Sequence, residues 1–215
     1  MQHTKEEGTK QHSRLMKQLK IGAQLAEEYG EKGGAWQLRR LLTYIQIQSG
    51  TPGEALKELD KMWIAAVEDN NSSWQRFVWL RRGIAHAEMN SMDEAHKAAN
   101  ELKDLLEQAA KKKLMRDYHY LTGLIELKKK NYSRAIENLD KAQEYYDRIT
   151  QLTVPRYFFS DCYVKSFYML GQIFEQKGWA GKAIENYEKF LDFWKNANPG
   201  IIEVEDAKKK LAGLK

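Results

Sequence analysis

Cysteine is almost missing from this chain. Cys162 stands alone among 215 residues, so no internal disulfide can hold the fold, and a reducing cytoplasm suits it. Proline is nearly as scarce, at three residues, which leaves long stretches without the residue that breaks helices. No apolar run near the N-terminus reaches the length of a signal peptide or a membrane span, so neither a leader nor a membrane partner is expected. An excess of one charge is also lacking. Thirty-five Lys and Arg stand against 30 Asp and Glu, a net +5 spread along the chain, which favours solubility over binding to a polyanion.

The residues needed for catalysis are equally hard to assemble. His86, His96 and His119 are 10 and 23 residues apart, without the i, i+4 spacing of a helical zinc site, and no HExxH occurs. They read as packing histidines. His3 and His12 lie in a polar N-terminal stretch and count for nothing as ligands. The glycines at 30, 33 and 34 follow no strand, so they do not form a dinucleotide loop. Cys162 sits beside Asp161, with Lys165 as its one nearby cation, and reads as an inert thiol. Lysine triplets at 111–113, 128–130 and 208–210 fall at helix ends, where solvation and the helix dipole explain them without nucleic acid. The expectation is a chain that is not an enzyme, with no catalytic residue, metal or cofactor.

What the sequence does contain is a repeat. Ala55, Ala95, Ala135 and Ala183 are separated by 40, 40 and 48 residues. Four and seven residues after each come Leu59 and Met62, Ala99 and Leu102, Leu139 and Ala142, and Tyr187 and Phe190. Twelve residues before each stands a small residue: Thr43, Gly83, Gly123 or Gly171. A fixed interval of this size marks stacked helical hairpins that cannot bury their apolar faces alone. The composition, rich in Ala, Leu, Glu, Lys and Gln, is that of helix formers.

Residues 1–12 read as a disordered tail, and Ser13 as the N-cap of a first helix reaching about Tyr29. Four hairpins follow. Their A helices are expected over 35–48, 73–89, 112–130 and 155–177, and their B helices over 52–68, 92–110, 132–148 and 179–195. The repeats thus occupy 35–70, 73–110, 112–148 and 155–195, with a cap over 201–213 whose helix runs from Ile201 to about Leu211. Turn signals at 49–53, 90–91 and Gly178 are short enough to make each A and B pair antiparallel neighbours. Residues 13–215 are expected to form one all-α solenoid.

The stretch FYMLGQIFEQKGWAGKAIENYEKFLDFW, from Phe167 to Trp194, and YLTGLIELKKKNYSRAIENLDKA, from Tyr120 to Ala142, resemble tetratricopeptide repeats in their glycine, alanine and aromatic positions. The first two repeats are weaker matches, with Thr43 in place of the helix A glycine and Arg82 in place of the leucine before Gly83. Repeats of that family span 34 residues, so these are elongated, and they lack the proline that normally closes helix B. The resemblance implies a right-handed α-α superhelix of about four hairpins, with an N-terminal helix and a C-terminal capping helix. It also implies a non-enzymatic module that binds a protein or peptide in a concave groove lined by the A helices.

Superimposing the A helices by the repeat interval puts Arg40, Leu80, Tyr120 and Tyr168 in register, followed by Tyr44, Ile84, Leu124 and Gln172, and then Leu127 with Ile47, Ala87 and Glu175. These positions are expected to form an apolar groove that is exposed before binding, with Arg40 and Arg81 at one flank. The family's Lys and Asn clamp for a chaperone's C-terminal carboxylate does not map here, because its positions hold Arg40 and Tyr44, then Leu80 and Ile84. The tail from Phe190 is similar to bacterial repeat regions fused to signalling domains. That implies an alternative role as a sensory or self-associating part of such a protein, dimerising through aromatic ends near Trp179 and Trp194.

Overall fold

A turn of one design, used repeatedly, organises the chain. The computed structural model describes residues 2–108, 114–150, 160–195 and 201–215. Among them are helices α1 (Gln2–Glu28), α2 (Lys32–Gln48), α3 (Pro52–Glu68), α4 (Ser72–Glu88), α5 (Met92–Gln108), α6 (Met115–Lys128), α7 (Tyr132–Thr150), α8 (Ser160–Gln176), α9 (Ala180–Phe193) and α10 (Ile202–Leu214), and no strand. Helices α2, α3 and α4 are each 17 residues long and are joined by three-residue turns. The middle turn residue has positive φ: 77° at Gly50, 46° at Asn70 and 58° at Asn90, with 74° at Gly30, 61° at Lys130 and 73° at Gly178.

At Gly50 the N–H donates to the Ile47 carbonyl at 3.2 Å, and the Thr51 N–H donates to that of Gln46 at 2.8 Å. The same pair of bonds recurs at Asn70 and Asn71, Asn90 and Ser91, Lys130 and Asn131, and Gly178 and Trp179. Such a pair satisfies carbonyls left open at a helix end. The residue that closes one helix then starts the next. Asn71 accepts from the Trp74 N–H at 3.1 Å through its side chain, an N-cap that the sequence analysis did not assign. The 40-residue interval is therefore two half-repeats of one helix and one turn.

The expected B helix at 52–68 coincides with α3, and the other observed ends differ by a few residues, as fraying ends do. One correction is larger: α1 begins at Gln2 rather than Ser13. The Lys, Glu and Gln of that stretch lack apolar content but favour helix. The expected start at Pro155, the lysine triplet at 111–113, and Pro199 with Gly200 lie outside the described residues.

Packing divides the chain into two compact units, Met1–Leu105 and Leu106–Lys215. In the first, α1 packs on α2, α2 on α3, α3 on α4, and α2 meets α4. Its core joins Trp36, Leu59, Met62, Ala66 and Val78. In the second, α6 packs on α7, α7 on α8, α8 on α9 and α9 on α10, while α6 meets α8. Within each unit an A helix touches its own B helix and the next A helix, α2 meeting α3 and α4, and α6 meeting α7 and α8, the contact order of a tetratricopeptide-like helical repeat.

The repeat residues occupy the tightest contacts. Ala55, Ala95, Ala135 and Ala183 are wholly buried, as are Leu59, Leu139 and Tyr187. A Cβ built on Gly123 would stand 2.7 Å from Leu139 Cγ, and one on Gly171 would stand 2.6 Å from Tyr187 Cε1. The small A-helix residue therefore lies under the side chain sixteen positions later. Gly123→Ala should lower stability by about 1–3 kcal/mol through overpacking. Gly53→Ala, with nothing within 4 Å of the added carbon, should raise it by roughly 0.5–1 kcal/mol. Urea denaturation of both variants checks the contrast, and equal effects would show that the contact is not tight.

Lys130 offers a second test. A lysine side chain at positive φ costs about 1–2 kcal/mol, and glycine's entropy returns part of that. Lys130→Gly should therefore raise the melting temperature, and a decrease would contradict the assigned turn.

Candidate functional site

In the first unit, Trp36, Arg40 and Tyr44 line one stripe of α2 at four-residue steps, and Trp74, Phe77 and Arg81 line one stripe of α4. The two stripes meet. Trp36 stacks on Trp74 at 4.2 Å between ring centroids, and Phe77 sets its edge to Trp36 at 5.7 Å. The Arg40 guanidinium lies 5.9 Å over the Phe77 ring. That of Arg81 lies 5.5 Å over Phe77 and 5.3 Å over Tyr44. Each such contact contributes about 0.5–1 kcal/mol when exposed. Arg40 is exposed, while Tyr44, Phe77 and Arg81 are half-buried.

In the second unit the corresponding positions hold a polar network. Tyr168 Oη donates to Asp206 Oδ2 at 2.6 Å, and Gln172 Nε2 donates to Tyr168 Oη at 2.9 Å. Lys165 donates to Glu203 at 2.7 Å, and Lys210 and Tyr187 both donate to Glu175, at 2.8 and 2.7 Å. Burial, reinforced by the Asp206 carboxylate, pushes the Tyr168 phenol far above its ordinary range. Burial opposes the charge on Glu175, but the bonds from Lys210 and Tyr187 outweigh it and hold its carboxyl below the usual value. These contacts tie α10 to the face of α8.

The expected groove residues therefore divide by environment. The expectation that its apolar members are exposed requires correction. Leu80, Ile84, Tyr120 and Leu124 are only 7%, 6%, 4% and 6% exposed, while Leu127 is half-buried. Tyr168 and Gln172 are half-buried, the first bonded to Asp206 and the second to the Tyr168 hydroxyl. Arg40 and Tyr44 remain accessible, though not as superposition suggested. Arg40 meets Phe77 and Tyr44 meets Arg81, because side chains cross the seam between adjacent helices. Of the aromatic ends, Trp179 is exposed, with Lys177 and Lys182 4.8 and 5.2 Å from its ring. Trp194 is half-buried near Phe190.

Two features escaped the sequence analysis. Arg39 is buried and makes two bonds to Glu27, at 2.9 and 2.7 Å, and one to Glu58, joining α1, α2 and α3. The Arg39 bonds hold the Glu27 carboxyl below its ordinary value. Charges 12 and 19 residues apart on three different helices carry no spacing signal that would single them out. The other is Arg82, which pairs with Asp60 at 2.7 Å and lies 5.5 and 5.0 Å from the rings of Trp63 and Trp79, at a cleft that also holds His86 and Lys97. Its replacement of the family's leucine was the available signal. Among the described residues, no group of three or more His, Cys, Asp and Glu could hold a metal ion, and no helix is long and apolar enough to cross a membrane.

With the geometry established, comparison with known proteins shows what it resembles. Residues 164–193, covering most of α8, its turn and all of α9, match the tetratricopeptide repeat family. Among solved structures, the chain is similar to BtubC (BKLC) from P. vanneervenii, with a TM-score of 0.65 and 12% identity over 94% of this chain and 82% of that one. At that identity the likeness shows the fold alone. No curated protein sequence matches the chain. The protein is tetratricopeptide-like, a class that serves generally in protein interaction.

Burial holds His86 and His119 below their ordinary value of 6.5. For His119 the pairing with Asn138 at 3.1 Å works in the opposite direction and does not overcome burial. The unfolded chain therefore binds protons at pH values where the folded chain does not, so this contribution to stability is full above pH 6.5 and is lost as pH falls below it. Melting measured on either side of that pH should show the decline, and His119→Gln should reduce it. An unchanged slope would mean that His119 is not shielded.

Proposed function

We propose that this chain is a non-enzymatic docking module that takes a carboxylate-bearing peptide or protein segment along the A-helix face of its first unit. The observation that carries this reading is the Arg40, Phe77, Arg81 and Tyr44 array, in which cations and rings alternate and Arg40 is exposed. Arginine and tyrosine dominate binding hot spots because they combine apolar area with directed polar contacts. An acidic or aromatic side chain laid across this array would meet both kinds of surface. Leu80 and Ile84 of the same unit are buried and serve its packing in this reading, while Tyr120, Leu124, Leu127, Tyr168 and Gln172 belong to the second unit and stand outside it.

Selection of a random peptide library on the chain should enrich Asp and Glu, and affinity for the selected peptides should fall as salt rises, because exposed charges are screened. Arg40→Ala and Tyr44→Ala should each weaken binding by about 1 kcal/mol or more while leaving melting nearly unchanged. Leu124→Ala, now placed in a buried setting, should instead cost stability by about 2–5 kcal/mol, as should Leu139→Ala. Selected peptides indifferent to Arg40→Ala and Tyr44→Ala would overturn the reading.

A further inference from the structure

The docking array leaves one cleft of the first unit unused. It is about 340 Å³ in volume and is lined by Leu56 and Asp60 of α3, by Trp79, Arg82 and His86 of α4, and by Glu94, Lys97 and Ala98 of α5, a size at the small end of the range for ligand sites. Trp79, Arg82 and His86 share a stripe of α4. At 3.6 residues per turn it lies roughly 140° round the helix from Trp74, Phe77 and Arg81. Part of the lining is already neutral, because Arg82 pairs with Asp60 at 2.7 Å and is held beside the rings of Trp63 and Trp79.

The α5 part of the lining is not. Glu94 and Lys97 are exposed and, among the described residues, form no hydrogen bond or ion pair. Across the same three-residue step, Glu58 with Lys61 and Glu205 with Lys208 do close, at 3.4 Å. His86 is open as well, since its Nδ1 is buried without a hydrogen-bond partner. In the preceding repeat Gln46 and Glu54 hold the places of His86 and Glu94, and there the Gln46 amide donates to Glu54 at 3.5 Å. Burial keeps His86 from protonating, and a neutral ring has one nitrogen that accepts. The cleft therefore presents one free carboxylate, one free ammonium and one unmet imidazole around the apolar surfaces of Trp79, Leu56 and Ala98.

A ligand with one sign of charge would leave the other sign of the lining facing it uncompensated, which opposes binding. An acid and a base one turn apart, with Cβ atoms about 5–6 Å from each other, match instead an ammonium and a carboxylate borne by a single carbon. We propose that this cleft binds a free α-amino acid with an apolar side chain, its ammonium on Glu94, its carboxylate on Lys97 and its side chain against Trp79, Leu56 and Ala98. His86 then offers the ammonium a second acceptor. No residue is shared with the docking array, so this inference and the proposed docking role stand or fall separately.

Calorimetric titration of the full chain with the common free amino acids, one at a time, should show binding of those with apolar side chains, leucine among them, at about 1 mM or tighter. Leucinamide, which lacks the carboxylate, and N-acetylleucine, which lacks the ammonium, should each bind about tenfold more weakly or worse, since each loses a charge-assisted bond. Glu94→Gln should weaken leucine about tenfold and reduce its advantage over N-acetylleucine. Lys97→Gln should do the same for its advantage over leucinamide. Both variants should melt like the parent, because neither side chain has a partner to lose. The comparison of leucine with its two derivatives carries the test on the parent chain if a variant does not fold. A chain that binds no free amino acid at about 10 mM, tenfold above the expected range, overturns the proposal. So does either derivative binding as well as leucine, which would make the cleft a site for a simple anion or cation, or leucine binding that neither variant changes, which would place it elsewhere on the chain.

Discussion

The close approach of helix A to helix B governs this structure. At Gly123 and Gly171 the A helix has no side chain where Leu139 and Tyr187 lie against it, and an added carbon would stand within 2.7 and 2.6 Å of those side chains. A glycine in mid-helix costs about 0.5–1 kcal/mol relative to alanine. Here that cost allows the large side chain sixteen residues later to be buried completely, and the wholly buried alanines at 135 and 183 keep the B helix equally slim. In the first repeat Thr43 takes the glycine's place, is buried, and satisfies its hydroxyl by donating to the Arg40 carbonyl at 3.0 Å. The same crossing thus tolerates a small polar residue when a backbone acceptor is available.

Register follows from the turn. Because one residue at positive φ closes each helix and its neighbour opens the next, helix length and connection length are linked, and the crossing returns every two turns. The interval of 48 residues before Ala183 arises between Lys130 and Gly178, both of which keep the turn geometry, so the added residues leave the turns themselves unchanged.

Charge fastens helices that lie apart in sequence. Arg39 joins three helices in the first unit, and removing one member of so buried a pair costs about 3–5 kcal/mol by stranding the other. In the second unit, Tyr168, Glu175 and Lys165 fasten α10 to α8 through Asp206, Lys210 and Glu203. The face that on α2 and α4 carries arginines over rings is, on α8, already committed to the chain's own helix. Equivalent repeat positions therefore differ in availability, and an interaction surface cannot be extended from one repeat to the next by register alone.

Amino-acid order by itself determined where the turns between helices fall, to within a few residues and apart from the start of α1, and which residues lie at the crossings. Both are local matters, set by turn residues such as Gly50 and Asn90 and by the spacing of Gly123, Ala135 and Leu139. Tertiary structure decided which neighbours each side chain meets across a seam. Arg40 was legible as a member of a helical stripe, but its contact with Phe77 depends on how two helices are offset and rotated. The burial of Leu124 and the capture of Tyr168 by Asp206 are of the same kind. Periodicity gives the direction of a side chain from its own helix axis, whereas exposure and partnership depend on what stands opposite, and that is supplied by residues about 35 to 40 positions away in a chain of repeats.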